Sequence, residues 1–261
     1  MKLVLIPVGK FMMGSPDSER GRDKIFQDEG PQHEVTLSKP FYVAVTEVTQ
    51  AQYQRVMGTN PSEFKGATNP VELVSWNEAT EFCKRLSEKS RQAVRLPTEA
   101  EWEYACRAGT ATAFSFGDAE SALGDYAWYE ENSGETTHPV GQKKPNAWGL
   151  YDMHGNVLEW CADWYGDYPK GAVTDPQGPA SGPSRVLRGG SWKLVPSVCR
   201  SACRFMYIQV IRNINIGFRV VVPVEFRGTP THNRARQALT LPQGLFCFCC
   251  GCLGPFLRFF L

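Results

Sequence analysis

The chain opens on an apolar run, Leu3-Val-Leu-Ile6, dense enough to predict a short buried strand, followed by a turn at Gly9 and a second strand through Phe11-Met-Met13. Residues 15–31 are charged and rich in glycine and predict an exposed loop. His33-Glu-Val-Thr-Leu37 and Phe41-Tyr-Val-Ala-Val45 are β-like runs separated by Lys39-Pro40. Three segments then carry the same helix-start signature: Thr49-Gln-Ala-Gln52, Ser75-Trp-Asn-Glu78 and Thr98-Glu-Ala-Glu101. In each, a hydroxyl can accept from the third backbone N–H while the third side chain reaches back. The second helix is predicted to run to about Lys89, with Ala79, Phe82, Cys83 and Leu86 on one face. The third is predicted to run to about Cys106 and to bury Trp102, Ala105 and Cys106.

Helical periodicity vanishes from Gly109 to Gly190, where Gly, Pro, Asn and Asp recur every few residues among frequent tryptophans. Loop-rich structure pinned by aromatic rings is the expectation there. Short strands return at Arg185-Val-Leu-Arg188 and Ile216-Gly-Phe-Arg-Val-Val-Val222. No repeat of solenoid length is visible. The composition shifts after Pro223, first polar and basic, then rich in Phe and Cys. The predicted organisation is one domain over 1–223 and a poorly structured extension over 224–261.

The chain has 261 residues, 42% of them hydrophobic and 21% charged, and net charge +1. These values fit an ordinary globular chain and exclude general disorder. The charge balance argues against a nucleic-acid partner, which would demand a basic excess. Gly 24 and Pro 18 agree with a loop-rich fold. No run approaches the roughly 20 apolar residues of a membrane span, and the first residues lack a small-residue cleavage site for secretion. Compartment stays open: cell-surface display if a leader is missing, the cytoplasm otherwise. The nine cysteines are an odd number, so at least one thiol is unpaired. Five (Cys83, Cys106, Cys161, Cys199, Cys203) lie in the domain, where pairing is not assignable from sequence. Four (Cys247, Cys249, Cys250, Cys252) lie in the extension, without zinc-finger spacing or a nearby histidine.

Seven motifs occur in order: Phe11-Met-Met-Gly-Ser15, Thr46-Glu-Val-Thr49, Pro70-Val71, Arg95-Leu-Pro-Thr-Glu-Ala-Glu-Trp-Glu-Tyr-Ala105, Gly149-Leu-Tyr-Asp-Met-His-Gly-Asn-Val-Leu-Glu-Trp160, Arg188-Gly-Gly-Ser-Trp192 and Gly217-Phe-Arg219. Together they resemble the formylglycine-generating-enzyme (sulfatase-modifying factor) family over roughly residues 3–222. The resemblance implies an α+β, elaborated C-type-lectin-like fold: a small twisted antiparallel sheet, flanking helices and much irregular loop. Fold does not give function, and the family holds copper-dependent oxidases, iron-dependent sulfoxide synthases and non-catalytic binders.

The oxidases of this family carry two copper-binding cysteines shortly after the Gly-Gly-Ser-Trp motif. Here the stretch reads Lys193-Leu-Val-Pro-Ser-Val-Cys-Arg-Ser-Ala-Cys-Arg204, with Leu194 at the first such position. Cys199 and Cys203 remain but do not align with the pair. The four histidines, His33, His138, His154 and His232, show no ligand spacing. No nucleophile elbow, phosphate loop or dinucleotide fingerprint occurs. No complete catalytic set is visible, so the expectation is a non-enzyme; a copper-dependent formylglycine-generating oxidase or a related enzyme is the alternative, and an invariant interaction domain another.

Residues 192–215 stand out differently. Framework residues of the family, Trp192, Cys199-Arg-Ser-Ala202, Arg204 and Ile216-Gly-Phe-Arg219, alternate with residues of arbitrary type. Phe205 to Ile211 fits neither a strand nor a helix period. A core strand would explain it; a ligand-facing surface would too, since large apolar residues at exposed positions mark contact patches. The pattern resembles the variable proteins of diversity-generating retroelements, in which adenine-specific copying errors rewrite asparagine codons. Leu194, Val195, Ser197, Val198, Cys203, Phe205, Tyr207, Ile208, Val210 and Ile211 are all reachable from such codons through adenine changes alone; Lys193, Met206 and Gln209 need other codons. Ile214 would be changed between the unmutated Asn213 and Asn215. The expected ligand surface is therefore these residues with Trp192, in a variable region of about 192–219. The expected partner is a variable protein or cell-surface ligand bound by a monomer.

No cofactor is required by this reading, and calcium is an option. The resemblance implies one calcium site from Asp152, the carbonyls of Gly155 and Val157, and Glu159. Oxygen donors of this kind suit a hard cation, whereas capping of turns is the plainer role for the two carboxylates. A second family site is expected to be degraded, because Trp128 stands where an amide belongs.

Overall fold

The computed structural model describes residues 1–22 and 28–224, and the backbone of 256–258. In chain order the strands are β1 (Lys2–Ile6), β2 (Gly9–Met13), β3 (His33–Leu37), β4 (Phe41–Ala44), β5 (Leu158–Trp164), β6 (Val173–Thr174), β7 (Arg185–Arg188), β8 (Arg204–Tyr207), β9 (Ile216–Gly217), β10 (Val221–Pro223) and β11 (Phe256–Arg258). The helices are α1 (Gln50–Met57), α2 (Trp76–Ser90), α3 (Glu99–Arg107) and the single turn α4 (Leu123–Tyr126).

All three expected capping boxes form: Thr49 and Gln52, Ser75 and Glu78, Thr98 and Glu101 each exchange side-chain and backbone bonds. Each satisfies amides that a helix start leaves orphaned. α2 buries Ala79, Phe82, Cys83 and Leu86 as its spacing predicts. α3 departs from expectation, because all nine of its residues are buried. It runs through the centre of the domain, so its polar side chains need internal partners. Glu101 takes Arg95 at 2.6 Å, Glu99 takes Arg204 at 2.6 Å, and Glu103 takes Arg107 at 2.8 Å and Arg188 as well.

Three small sheets surround α3. One has the order β10-β4-β1-β11, one β2-β3-β6, and one β8-β7-β5-β9. The expected single strand 216–222 divides: β9 lies parallel to β5, and β10 pairs with β4 in another sheet. The turn between them brings Arg219 inward, fully buried. β5 lies inside the stretch expected to be loop, because its buried side chains include Glu159 and Asp163 and break any apolar pattern. One apolar cluster gathers Tyr53, Phe82, Trp160 and Phe218 between α1, α2 and the third sheet; another gathers Val35, Phe41, Trp102 and Val186 around α3. Of the 224–261 extension, the backbone of β11 pairs antiparallel with β1 and so adds a strand to the domain. The rest of that extension, with its four cysteines, lies outside the described residues. Among the described residues, no helix is long and apolar enough to cross a membrane.

Candidate functional site: the 192–215 surface

The segment from Trp192 to Asn215 starts beneath the surface, emerges, returns and emerges again. Trp192 is buried: its amide donates to Asn156, its carbonyl accepts from Ser133 Oγ, and its ring meets Phe64 edge-on at 5.4 Å. Lys193 and Val195 are exposed, while Leu194 is half-buried against the first core cluster. A short turn over Pro196–Val198 places Ser197 half out and Val198 inside. Cys199 to Arg204 lie wholly within the domain.

This inner stretch is gripped by charge. Arg188, itself fully buried, donates to the carbonyls of Ser201 (3.0 Å), Ala202 (2.7 Å) and Cys203 (2.9 Å) while paired with Glu103. Arg200 forms bonds of 2.6 and 2.8 Å to the Glu29 carboxylate, and Arg204 does the same to Glu99 at 2.6 and 2.9 Å. Bidentate guanidinium pairs of this kind fix geometry as well as charge.

β8 then forms the edge of the third sheet, its ladder running Arg188↔Arg204, Leu187↔Phe205, Val186↔Met206 and Arg185↔Tyr207. Phe205 is half-buried against the core. Met206, Tyr207, Ile208 and Val210 are 51, 42, 48 and 59% exposed, an unusual density of large apolar side chains for one short segment. Gln209, Ile211, Asn213 and Ile214 are half-buried. Main-chain bonds seat this loop: Asn77 N–H to the Gln209 carbonyl, Leu73 N–H to that of Asn213 and Leu158 N–H to that of Asn215. Two side chains assist, Arg212 on Glu78 at 2.8 Å and Asn215 on Ser191 at 3.0 Å. Arg185, opposite Tyr207, lies between the rings of Trp76 and Trp164 at 3.8 and 3.4 Å.

The expected surface is thereby corrected. Trp192, Val198, Cys203 and Asn215 face inward and cannot meet a ligand without unfolding the segment. Lys193, Val195, Met206, Tyr207, Ile208 and Val210 form the accessible part, with Leu194, Ser197, Phe205, Gln209, Ile211, Asn213 and Ile214 half-accessible behind them. Sequence gave no sign that Trp76, Asn77 and Glu78 on α2 border this face; the N-terminal turn of α2 is recruited by long-range packing.

Neither remaining cysteine near the Gly-Gly-Ser-Trp motif is poised for metal or redox chemistry. Cys199 and Cys203 are fully buried free thiols. Burial pushes the Cys199 thiol up to about 12, and Cys203 is likewise raised well above its ordinary value by burial, with Glu29 adding to it. Thiols held protonated this way are poor nucleophiles and poor ligands.

At the expected calcium position, Asp152 is fully buried, with Oδ2 accepting from Gly141 N–H at 2.7 Å and Oδ1 unpartnered. Glu159 does not fit the role. Both its oxygens take Arg219 at 2.6 Å, and one also takes the Trp102 indole at 2.8 Å. Buried Glu47, missed in the sequence, has two unpartnered oxygens beside Asp152. Burial raises both carboxyls, and Asp152 raises Glu47 further. Asp152 and Glu47 therefore fit a hard cation, with the carbonyls of Gly155 and Val157 near in sequence; Glu159 is neutralised by Arg219 instead. No three His, Cys, Asp or Glu side chains converge as a metal set among the described residues. At the second family position, Trp128 stacks on His138 at 3.7 Å, and the Lys143 ammonium lies 3.9 Å from its ring centroid.

Residues 1–224 match the family described as the sulfatase-modifying factor enzyme 1-like domain, and the chain belongs to that family. It is 33% identical to the chaperone protein LppX of Paenibacillus barcinonensis, over 67% of this chain and 76% of that protein. It is 38% identical to the formylglycine-generating enzyme of Streptomyces coelicolor, over 66% of this chain and 58% of that enzyme. The chain spans 37% of the length of the Chlamydia caviae protein kinase pkn1 that it also matches. Among solved structures, variable protein 1 of Treponema denticola superposes with TM-score 0.78 at 35% identity, covering 84% of this chain and 94% of that one. PvdO of Pseudomonas aeruginosa superposes with TM-score 0.75 at 33% identity, covering 85% and 94%. The likeness thus extends both to an enzyme and to a variable protein.

Proposed function

We propose that this chain is a non-enzymatic binding protein whose contact surface is the outer part of residues 193–214, diversified by a retroelement. One observation carries the reading. Met206, Tyr207, Ile208 and Val210 are all exposed, on the end of edge strand β8 and the loop after it, a segment seated by main-chain bonds and buried arginines. Exposed apolar residues cost a monomer solubility and mark sites of contact. A seat independent of those side chains lets them change without loss of the fold, as a rigid scaffold does beneath an antibody paratope. The likeness to a variable protein supports the reading. Leu194 at a copper-cysteine position and the protonated, buried Cys199 and Cys203 weigh against oxidase chemistry. Calcium, if bound at Asp152 and Glu47, would brace the loop over 152–157 and play no part in contact.

The test is genetic and direct. The encoding locus should hold a reverse transcriptase and a near-copy of the 3′ end of the gene, differing at template adenines in the codons of the accessible positions. A locus with neither makes the surface an invariant one, and oxidation of a cysteine-containing sulfatase peptide by the purified chain would overturn the non-enzymatic reading.

A further inference from the structure

Away from residues 193–214, a cavity of about 410 Å³ opens between the first and third sheets. Its volume falls in the range of small-molecule sites. Leu37, Pro40, Phe41, Pro176 and Pro223 supply apolar wall, and Lys39, Arg95, Glu101, Asp163 and Asp175 supply charge. These charges are unequally matched. Arg95 and Glu101 are joined at 2.6 and 2.7 Å. Asp175 bonds the Ser38 hydroxyl and amide, and Lys39 stabilises its charge. Asp163 is left over. It is 5% exposed; Oδ2 accepts from the Glu99 amide at 2.8 Å, and no donor reaches Oδ1 among the described residues. Gly178, with φ +67°, passes close by, and a Cβ there would sit 3.2 Å from Oδ1. Glycine suits this backbone and keeps the oxygen clear. Burial, and then the Glu99 carboxylate, push Asp163 up to about 7.

We propose that this cavity is a second binding site, for a small molecule carrying one amine, guanidine or amidine group against an apolar body. The cation would meet Asp163 Oδ1, which among the described residues takes no donor while both oxygens of Glu101 and Asp175 do, and the body would lie on Phe41 and the prolines. A charge-assisted bond inside a partly dry cavity is stronger than a neutral one. The site is independent of the contact surface proposed above, since it shares no residue with it.

Benzamidine and its uncharged counterpart benzamide are suitable probes, followed by NMR on the isotope-labelled full chain. Benzamidine should shift the amides of Phe41, Ala162, Asp163 and Gln177 saturably, and benzamide should not. Asp163→Asn, which keeps an oxygen for the Glu99 amide, should weaken benzamidine by about tenfold or more. Lys39→Ala removes an exposed like charge and should tighten it severalfold. Equal binding of the two probes, full affinity in Asp163→Asn, or shifts mapping elsewhere would each overturn the proposal. Should Asp163→Asn fail to fold, as judged by its melting transition, unchanged affinity in Lys39→Ala has the same force.

Discussion

The indole Nε1 of Trp192 donates to the main-chain carbonyl of Ile214 at 3.2 Å, tying the two ends of the candidate contact segment together across 22 residues. Trp192→Phe keeps an aromatic ring, removes the donor and leaves a small void where the pyrrole ring was. The expected cost is about 2 kcal/mol in global stability. Amide exchange should accelerate selectively between residues 208 and 215, measured by mass spectrometry. Uniform acceleration would mean the bond does not staple the segment.

Outward and inward positions of the segment should respond in opposite ways. Met206→Ser, Tyr207→Ser, Ile208→Ser and Val210→Ser should each alter stability by less than about 0.5 kcal/mol, as surface changes do. Val198→Asn and Cys203→Asn bury an amide without partners and should each cost about 2 kcal/mol or more. Urea titration of the six variants separates the two groups.

Breaking the grip on the inner stretch should be severe. Arg188→Met leaves Glu103 with only Arg107 and the Gly14 amide, both on Oε1, and frees three carbonyls, for an expected loss of about 3–5 kcal/mol. Thermal melting should show it, and Arg188→Lys should rescue little, because one ammonium cannot reproduce the fork.

Asp163 should make stability depend on pH. Its folded value of about 7 lies above the ordinary 3.8, so between these values the folded chain holds a proton that the unfolded chain releases. The contribution to stability is full below about pH 4, falls as pH rises, and has gone by about pH 7. The titratable groups facing Asp163 are Glu99 and Glu101 on α3, Arg95 before it, Cys161 on β5, Arg185 on β7 and Arg204 on β8. Relative to wild type, Asp163→Asn should therefore gain stability between pH 4 and 7, by about 1.4 kcal/mol per pH unit at most. A constant difference across that range would contradict the raised value.

Five thiols should resist labelling in the folded protein. Cys83, Cys106, Cys161, Cys199 and Cys203 are buried and free, so iodoacetamide should modify their peptides only after denaturation. Rapid native modification of Cys199 or Cys203 would reopen the oxidase reading.

What sequence disclosed depended on how local each signal was. The helix starts at Thr49, Ser75 and Thr98 were legible because each capping box closes within four residues. β5 was not, since Glu159 is accommodated by Arg219, 60 residues away. Leu194 and Phe205 lie only half-accessible because sheet packing decides their depth. The apolar oddity of residues 205–211 is legible; the inward turn of Val198 and Cys203 is not, and for Cys203 the reason is that its carbonyl is held by Arg188, 15 residues earlier in the chain. Glu47 carries no local signal for the same reason, its neighbour Asp152 lying 105 positions on.

Where residues 208–215 meet the body of the domain through the main chain, the loop supplies oxygens: the carbonyls of Gln209, Asn213, Ile214 and Asn215 accept from Asn77, Leu73, Trp192 and Leu158. Every amino acid carries that oxygen, proline included. Apart from the side chains of Arg212 and Asn215, the domain therefore holds the loop by the one chemical group common to all twenty residues, whatever side chains stand between.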